Sequence, residues 1–521
     1  MVFKLVPRSF LFTSLAQNLS KLSFSSYISS DSNELSSANE LQLEFREYLK
    51  PSLPSLQTSN DADMVTNLLI ERHDPYNAVE SSLLHLNGIR VSTELVQQTL
   101  IRLKDLPNIA LDFFVWAKEQ PGYHHDGVAY NMMIDIMGKA RQFDVAWQLL
   151  LEMDQLGGKP TSKTFGILFR RLIAAGLARQ AIQAFDDMES FTKRETGKED
   201  FVDLLDTLCK YGYAKVATEV FNRRKFKFEP DTQMYTVLIY GWCKLNLPEM
   251  AEKFFREMVD RGLEANVVTY NVLLNGICRR TVLHPGTHFE GIIQKAENLL
   301  DEMQKRGIEP DVTSYSIVLH VYSRAHKPDL SLDKLSSMKD KGIFPTVATY
   351  TSVIKCLCSC GRLEDAEEIL NEMVANGVSP SPATFNCFFK EFQGRKHADN
   401  ALKLYKKMGD LSCTPSLSTY NILVGTFSML NKMDIVQEIW NDMKESGAGP
   451  DSNSYMLLIH GLCEKRKWGE ACEFVQEMIE SGFRPQKITL EKLYKGLTQA
   501  DMLTTWRRLK KKLEALSLKP L

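Results

Sequence analysis

One phrase keeps returning along this chain. It reads NVVTYN at 266–271, PDVTSYS at 310–316, PTVATYT at 345–351 and PSLSTYN at 415–421. Aligning it divides the chain into 127–161, 162–197, 198–231, 232–266, 267–311, 312–346, 347–381, 382–416, 417–451 and 452–486, and seven of these ten units are 35 residues long. A fixed period of this length is the mark of a repeat architecture. In the unit that starts at Val267, Tyr270, Leu273, Leu274 and Ile277 share one face at helical spacing, and Ala296, Leu299, Leu300 and Met303 share another. Gly307 stops the second helix and Pro310 closes the unit. Each helix has about three turns, too few to be stable alone in water. Neighbouring hairpins must therefore stack and bury their apolar faces together.

The core columns are tight. Methionine returns at 153, 188, 258, 303, 338, 373, 408, 443 and 478, and alanine at 146, 181, 217, 251, 296, 366, 401 and 471. Cys209, Cys243, Cys278, Cys358 and Cys463 share one place in the first helix, which reads as a small buried position rather than a redox or metal site. The ten cysteines include no Cys-x-x-Cys pair, so a reducing compartment is expected. Two units depart from the pattern. The third (198–231) lacks the methionine and carries FNRRKFKF, predicting an irregular second helix. The fifth has ten extra residues around TVLHPGTHFE (281–290), predicting a loop. His288 and Glu290 there form a His-x-Glu, but the Pro-Cys-x-x-Cys that deaminase zinc chemistry also needs is missing.

Outside the repeats, residues 1–30 are rich in serine, carry Lys4, Arg8 and Lys21 and no acid, and read as an organelle transit peptide. Residues 31–63 read as a flexible linker, 64–126 as an N-terminal helical cap with a degenerate first repeat, and 487–521 as a degenerate C-terminal capping repeat. The basic WRRLKKKLEAL (506–516) fits that capping role better than contact with a polyanion. No apolar run approaches the roughly 18 residues a membrane span needs. The net charge of −2 points to no polyanion but excludes none, since a local basic stripe suffices.

The period, the VVTYN…GxC…A…EM…G…PD columns and the paired helices resemble the pentatricopeptide repeat family, in its P-type subclass of uniform units, over about 92–521. That resemblance implies an all-α fold, a right-handed α-solenoid superhelix of ~35-residue helix-turn-helix repeats. It also implies an inner groove that takes single-stranded organellar RNA, one base per repeat. It implies a monomer without cofactor or catalytic domain, acting in mitochondrial or, alternatively, chloroplast RNA metabolism, with other RNA-processing factors as further partners. A protein-binding scaffold akin to tetratricopeptide repeats is the competing class. Those repeats carry a Trp and a Gly–Tyr pattern missing here, and no paired polar columns.

Two polar columns carry the implied reading. The first follows the tyrosine: Asn131, Gly166, Val202, Thr236, Asn271, Ser316, Thr351, Asn386, Asn421, Met456. The second closes each unit: Thr161, Gly197, Asp231, Asn266, Asp311, Thr346, Ser381, Ser416, Asp451, Gln486. Helix capping competes as the explanation of the first column. By the family's pairing, Thr236 with Asn266 implies adenine. Asn271 with Asp311 and Asn421 with Asp451 imply uracil, and Asn386 with Ser416 implies cytosine. Ser316 with Thr346 and Thr351 with Ser381 imply purines, and Asn131 with Thr161 a pyrimidine. The implied target is Y-n-n-A-U-R-R-C-U-n. A basic place late in the first helix (Lys139, Lys210, Lys244, Arg279, Arg324) implies phosphate contacts. It becomes Ser359, Gly394, Met429 and Glu464 in units seven to ten, so backbone anchoring is expected in the N-terminal half. Cations near a helix end that favour the dipole are the competing explanation.

Overall fold

The computed structural model describes residues 56–71, 90–155, 159–283, 289–395, 397–430, 432–447 and 449–517. Among the described residues the regular elements are all helices. They fall into two compact units, Met1–Thr196 and Gly197–Leu521. The first holds α1 (Leu56–Glu71), α2 (Thr93–Arg102), α3 (Pro107–Lys118), α4 (Gly127–Lys139), α5 (Phe143–Gln155), α6 (Ser162–Ala174) and α7 (Ala178–Thr192). The second opens with α8 (Lys198–Lys210), α9 (Ala214–Arg224), α10 (Thr232–Lys244), α11 (Pro248–Asp260), α12 (Val267–Leu283), α13 (Phe289–Lys305), α14 (Val312–Arg324), α15 (Pro328–Asp340) and α16 (Val347–Ser359). It continues with α17 (Leu363–Ala375), α18 (Pro382–Arg395), α19 (Ala398–Asp410), α20 (Leu417–Met429), α21 (Met433–Glu445), α22 (Ser452–Glu464), α23 (Trp468–Glu480), α24 (Lys487–Gln499) and α25 (Leu503–Ser517). From α4 onward the even-numbered helices are first helices and the odd-numbered are second. Within each unit every second helix packs on its own first helix, and successive first helices lie side by side.

The columns explain this stacking. Every methionine of its column is at most 2% exposed, and every alanine at most 1%. The small alanine lets the two helices of a hairpin cross closely, and the methionine fills the irregular gap between hairpins. The tyrosine ring is buried and its hydroxyl needs a partner. It finds one in the glutamate that precedes the methionine: Tyr130 donates to Glu152 at 2.9 Å, Tyr235 to Glu257 at 2.9 Å and Tyr350 to Glu372 at 2.9 Å. Each second helix from α11 to α17 ends at a glycine with positive φ, as at Gly262 (76°), Gly307 (76°), Gly342 (72°) and Gly377 (74°), where a side chain would be strained.

The first unit has one bond of a different kind. Arg171 in α6 makes a forked pair with Asp135 in α4, Nε to Oδ1 at 2.7 Å and Nη2 to Oδ2 at 2.6 Å. Asp135 is 4% exposed. At the other end of the chain, Trp506 of α25 lies against Tyr494 of α24, with ring centroids 5.2 Å apart.

Three expectations are corrected or fall outside. The transit-peptide reading of 1–30 lies outside the described residues, but the linker reading of 31–63 runs too far, because α1 already begins at Leu56. Of the loop expected over 281–290, residues 281–283 and 289–290 are helix, and 284–288 lie outside the described residues. Helices α12 and α13 each run to 17 residues, against 13 in most first and second helices, so the insertion lengthens both helices of the hairpin. Pro285, Gly286 and His288 lie outside the described residues, and Glu290 pairs with Lys327 (3.0 Å). In the third repeat, α9 has only 11 residues. The chain then turns back, and Phe228 stacks on Phe201 with centroids 4.6 Å apart, covering the core where the methionine is missing.

Candidate nucleic-acid interface

The closing polar column consists of helix N-caps. Its side chains accept from the backbone N–H three residues on: Asp231 from Met234 (2.9 Å), Asn266 from Thr269 (2.9 Å), Asp311 from Ser314 (2.9 Å), Ser416 from Thr419 (3.2 Å) and Asp451 from Ser454 (2.7 Å). Thr346 and Ser381 do the same to Thr349 and Thr384 at 3.4 Å, and Thr161 occupies the same position before α6. Capping was the competing explanation for the column after the tyrosine. The structure assigns it to the other column, and the reason is register: the residue after the tyrosine is the fifth of its helix, too far in to cap.

That fifth residue has a different partner. The third residue of each of these first helices, Thr164, Thr269, Ser314, Thr349, Thr384, Thr419 or Ser454, is 0% exposed. In five of the seven the hydroxyl reaches across the seam to the fifth residue of the preceding repeat's first helix. Thr236 meets Thr269 at 2.7 Å, Asn271 Oδ1 accepts from Ser314 at 2.6 Å, Ser316 meets Thr349 at 3.0 Å, Thr351 meets Thr384 at 2.8 Å, and Asn421 Oδ1 accepts from Ser454 at 2.6 Å. The same hydroxyls bond to the caps, as in Thr269 to Asn266 (3.0 Å), Thr346 with Thr349 (3.0 Å), Ser381 with Thr384 (3.1 Å) and Ser454 to Asp451 (2.7 Å). One buried hydroxyl therefore bridges the two members of five expected pairs: 236/266, 271/311, 316/346, 351/381 and 421/451. Pairs 131/161 and 386/416 differ, because the buried Oδ1 atoms of Asn131 and Asn386 have no hydrogen-bond partner. Sequence reasoning missed this bridging column. Its signal was the Thr or Ser that precedes the tyrosine or phenylalanine in seven of the ten repeats, which passes for a letter of the stacking pattern.

The pair 271/311 is bonded directly as well, Asn271 Nδ2 donating to Asp311 Oδ1 at 3.0 Å. Burial alone would raise the Asp311 carboxyl. Hydrogen bonds from the Ser314 backbone, the Asn271 amide and the Ser314 hydroxyl outweigh it and hold the carboxyl below its ordinary value. Asp451 is held low in the same way, against burial, by Ser454 and by Asn421. Both caps are thus firmly ionised at neutral pH.

Asn271 and Asp311 open onto a cleft of ≈ 370 Å³ lined by α10, α12 and the start of α14. Val268, an apolar side chain left 58% exposed, forms one wall, and Lys244 and Arg279 stand on the same cleft. The other expected phosphate contacts are placed differently. Lys139 pairs with Asp105 (2.5 Å) and Lys210 with Asp206 (3.1 Å), while Arg324 is half-buried in the last turn of α14. Lys244 also donates to the Lys210 carbonyl at the end of α8, at 2.5 Å. Helix-end bonding therefore accounts for part of the basic column. Lys244 and Arg279 are the members that share a cleft with Asn271 and Asp311.

Comparison with known proteins follows the repeat. A family model described as PPR repeat family matches 125–174, 230–279, 345–394 and 415–464, a pentatricopeptide repeat domain model matches 298–360, and a PPR repeat model matches 454–483. Together these segments cover just over half of the chain. A mitochondrial pentatricopeptide repeat-containing protein of Arabidopsis thaliana is 56% identical over 285 residues, which is 54% of this chain and 55% of that protein. Another mitochondrial one from the same plant is 34% identical over 189 residues, 36% of this chain and 33% of its own length. The chain thus spans between a third and about half of the length of these curated relatives. Among solved structures, the pentatricopeptide repeat protein PPR10 in complex with an 18-nt psaJ RNA element is similar at 20% identity and a TM-score of 0.45, over 94% of this chain and 78% of that one. Among the described residues, no helix is long and apolar enough to cross a membrane.

Proposed function

The chain belongs to the pentatricopeptide repeat family, and we propose that it binds single-stranded RNA in an organelle, reading one base per repeat. The observation that carries this reading is the cleft in which Asn271 and Asp311 stand with Lys244, Arg279 and the exposed Val268. Hydrogen-bonding groups, cations and an apolar wall are what an unstacked nucleotide needs for its base edge, its phosphate and its face.

The capping geometry supports a division of the bases between the pairs. Capping occupies one oxygen of an aspartate and leaves the second as an acceptor. An acceptor suits the ring N–H of uracil or guanine. Capping occupies the one oxygen of an asparagine and leaves its NH₂ as a donor, which suits the unprotonated ring nitrogen of adenine or cytosine. A capping serine or threonine accepts through its oxygen and keeps its hydrogen to donate, so it belongs to the second class. Joined to the pyrimidine or purine class that the family resemblance gives to Asn or Thr in the first column, this fits Asn271/Asp311 and Asn421/Asp451 to uracil, Thr236/Asn266 to adenine and Asn386/Ser416 to cytosine. The target remains Y-n-n-A-U-R-R-C-U-n, read from the first repeat. The mitochondrial designation of the Arabidopsis relatives supports that compartment. A protein seated on about ten nucleotides without chemistry of its own would act by shielding the transcript, or by assisting its processing, splicing or translation.

Two expected outcomes test the proposal. Asn271→Thr shifts the preference at the fifth base from uracil toward guanine, because Asp311 still offers an acceptor to a ring N–H while the first position becomes the purine type; a variant that still selects uracil refutes the register. Replacing Lys139, Lys244 and Arg279 with glutamine lowers the slope of log affinity against log salt by at most about 2, at about 0.7 for each phosphate no longer neutralised. Since Lys139 already has Asp105, most of the change is expected from Lys244 and Arg279. An unchanged slope removes the phosphate role.

A further inference from the structure

The four asparagines of the first column fall into two classes. Around Asn271 the bonds close a ring: the Asp311 N–H donates to Ser314 Oγ (3.2 Å), the one Ser314 hydroxyl hydrogen is shared between Asn271 Oδ1 (2.6 Å) and Asp311 Oδ1 (3.0 Å), and Asn271 Nδ2 donates to Asp311 Oδ1 (3.0 Å). An ionised carboxylate only accepts, so the NH₂ of Asn271 must face Asp311 and its oxygen must face Ser314. Asn421 shares two of these bonds, with Asp451 N–H donating to Ser454 Oγ (3.2 Å) and the Ser454 hydroxyl hydrogen shared between Asn421 Oδ1 (2.6 Å) and Asp451 Oδ1 (2.7 Å). The third helical residue is serine after both of these aspartate caps, but threonine after Thr161, Asn266, Thr346, Ser381 and Ser416. Asn131 and Asn386 precede the threonine kind, and their buried oxygens find no donor.

We propose that Ser314 and Ser454 are positioning residues that, together with the Asp311 and Asp451 carboxylates, fix the polarity of the neighbouring asparagine amide, and that this polarity contributes to separating uracil from cytosine. The inference rests on the RNA reading above. With the oxygen held inward by the serine, Asn271 and Asn421 present NH₂ to the base. That donor suits the O4 carbonyl of uracil and opposes the N4 amino group of cytosine. Asn131 and Asn386 lack the lock. A buried carbonyl without a donor is costly, and turning the amide over removes that cost. The NH₂ then donates inward to the threonine oxygen, and the carbonyl oxygen faces outward to accept from cytosine N4. The same residue type thus reads two pyrimidines, according to a hydroxyl that touches neither base.

The test uses the full chain and ten-nucleotide RNAs that match the proposed target and differ only in U or C at the fifth base. The wild type is expected to favour U. Ser314→Ala is expected to reduce that U-to-C ratio by roughly tenfold, the scale of one good base contact, while binding of an RNA with an abasic fifth position stays unchanged. Ser454→Ala reproduces the loss at the ninth base, and serves alone if Ser314→Ala does not fold. A U-to-C ratio unchanged in both serine variants overturns the inference while the RNA reading stands. If the wild type shows no base preference at all, the RNA reading fails first.

Discussion

Replacing Asp135 with alanine is expected to cost the first unit about 3 kcal/mol, the lower end of the range for breaking a buried ion pair. The loss is large because of what stays behind. Asp135 is 4% exposed and takes both prongs of the Arg171 guanidinium. Without it, a permanent charge is left at the seam between α4 and α6 with no counter-ion. Arg171 cannot swing away freely, because its stem fills the space over Gly138: a Cβ built on that glycine would lie 2.7 Å from Arg171 Cβ and 2.7 Å from its Cγ. The arginine side chain is 19% exposed, so water relieves part of the penalty, which is why the lower end applies. Amide exchange across α4 and α6 reads the loss locally. The double variant Asp135→Leu with Arg171→Met is expected to recover most of it, since an apolar pair of similar volume needs no partner. A single variant with undiminished protection contradicts this account of the seam.

Gly276→Ala is expected to destabilise the second unit by about 1–3 kcal/mol, although alanine is the better helix former. The added methyl would lie 2.0 Å from Cys243 Sγ and 2.6 Å from its Cβ. Both atoms belong to the first helix of the adjacent repeat, so relief requires α10 and α12 to separate. Cys243→Ala removes the sulfur but not the Cβ, and is expected to restore only part of the stability. Gly409→Ala, in α19 with nothing within 4 Å of the added carbon, is expected to be neutral or slightly stabilising. Chemical denaturation of the three variants tests the contrast. Equal effects at 276 and 409 would show that propensity, not contact, sets the glycine pattern.

The meeting of Gly276 with Cys243 shows what a sequence pattern can carry. The period, the two helices per repeat and the buried methionine, alanine and tyrosine columns were legible because each buried position repeats and each helical face has a fixed spacing. The burial of the cysteine column was legible too. Its cause was not, because the glycine opposite Cys243 is 33 residues away and meets it only once repeats stack. The polar columns were harder. Asn266, Asp311 and Asp451 were visible as a series, but polarity alone does not tell a cap from a reader, and these residues cap. The hydroxyls of Ser314, Thr349 and Ser454 were written beside the tyrosine in every phrase, yet their partners lie in the preceding repeat. The insertion around 281–290 misled for a local reason. Pro285 and Gly286 are turn-forming residue types, but 281–283 and 289–290 on either side continue α12 and α13. NVVTYN itself divides at a seam: Asn266 caps α12 and belongs with Thr236, whereas Asn271 faces forward to Ser314 and Asp311.

The most direct measurement of the central claim is selection by this chain from a pool of randomised single-stranded RNA. The expected result is enrichment of a ten-nucleotide site of the form Y-n-n-A-U-R-R-C-U-n, with the sharpest preferences at the fourth, fifth, eighth and ninth bases. Recovery of sequences no more enriched than those taken by an unrelated helical solenoid would contradict it, and would leave the polar columns as helix caps and seam bonds alone.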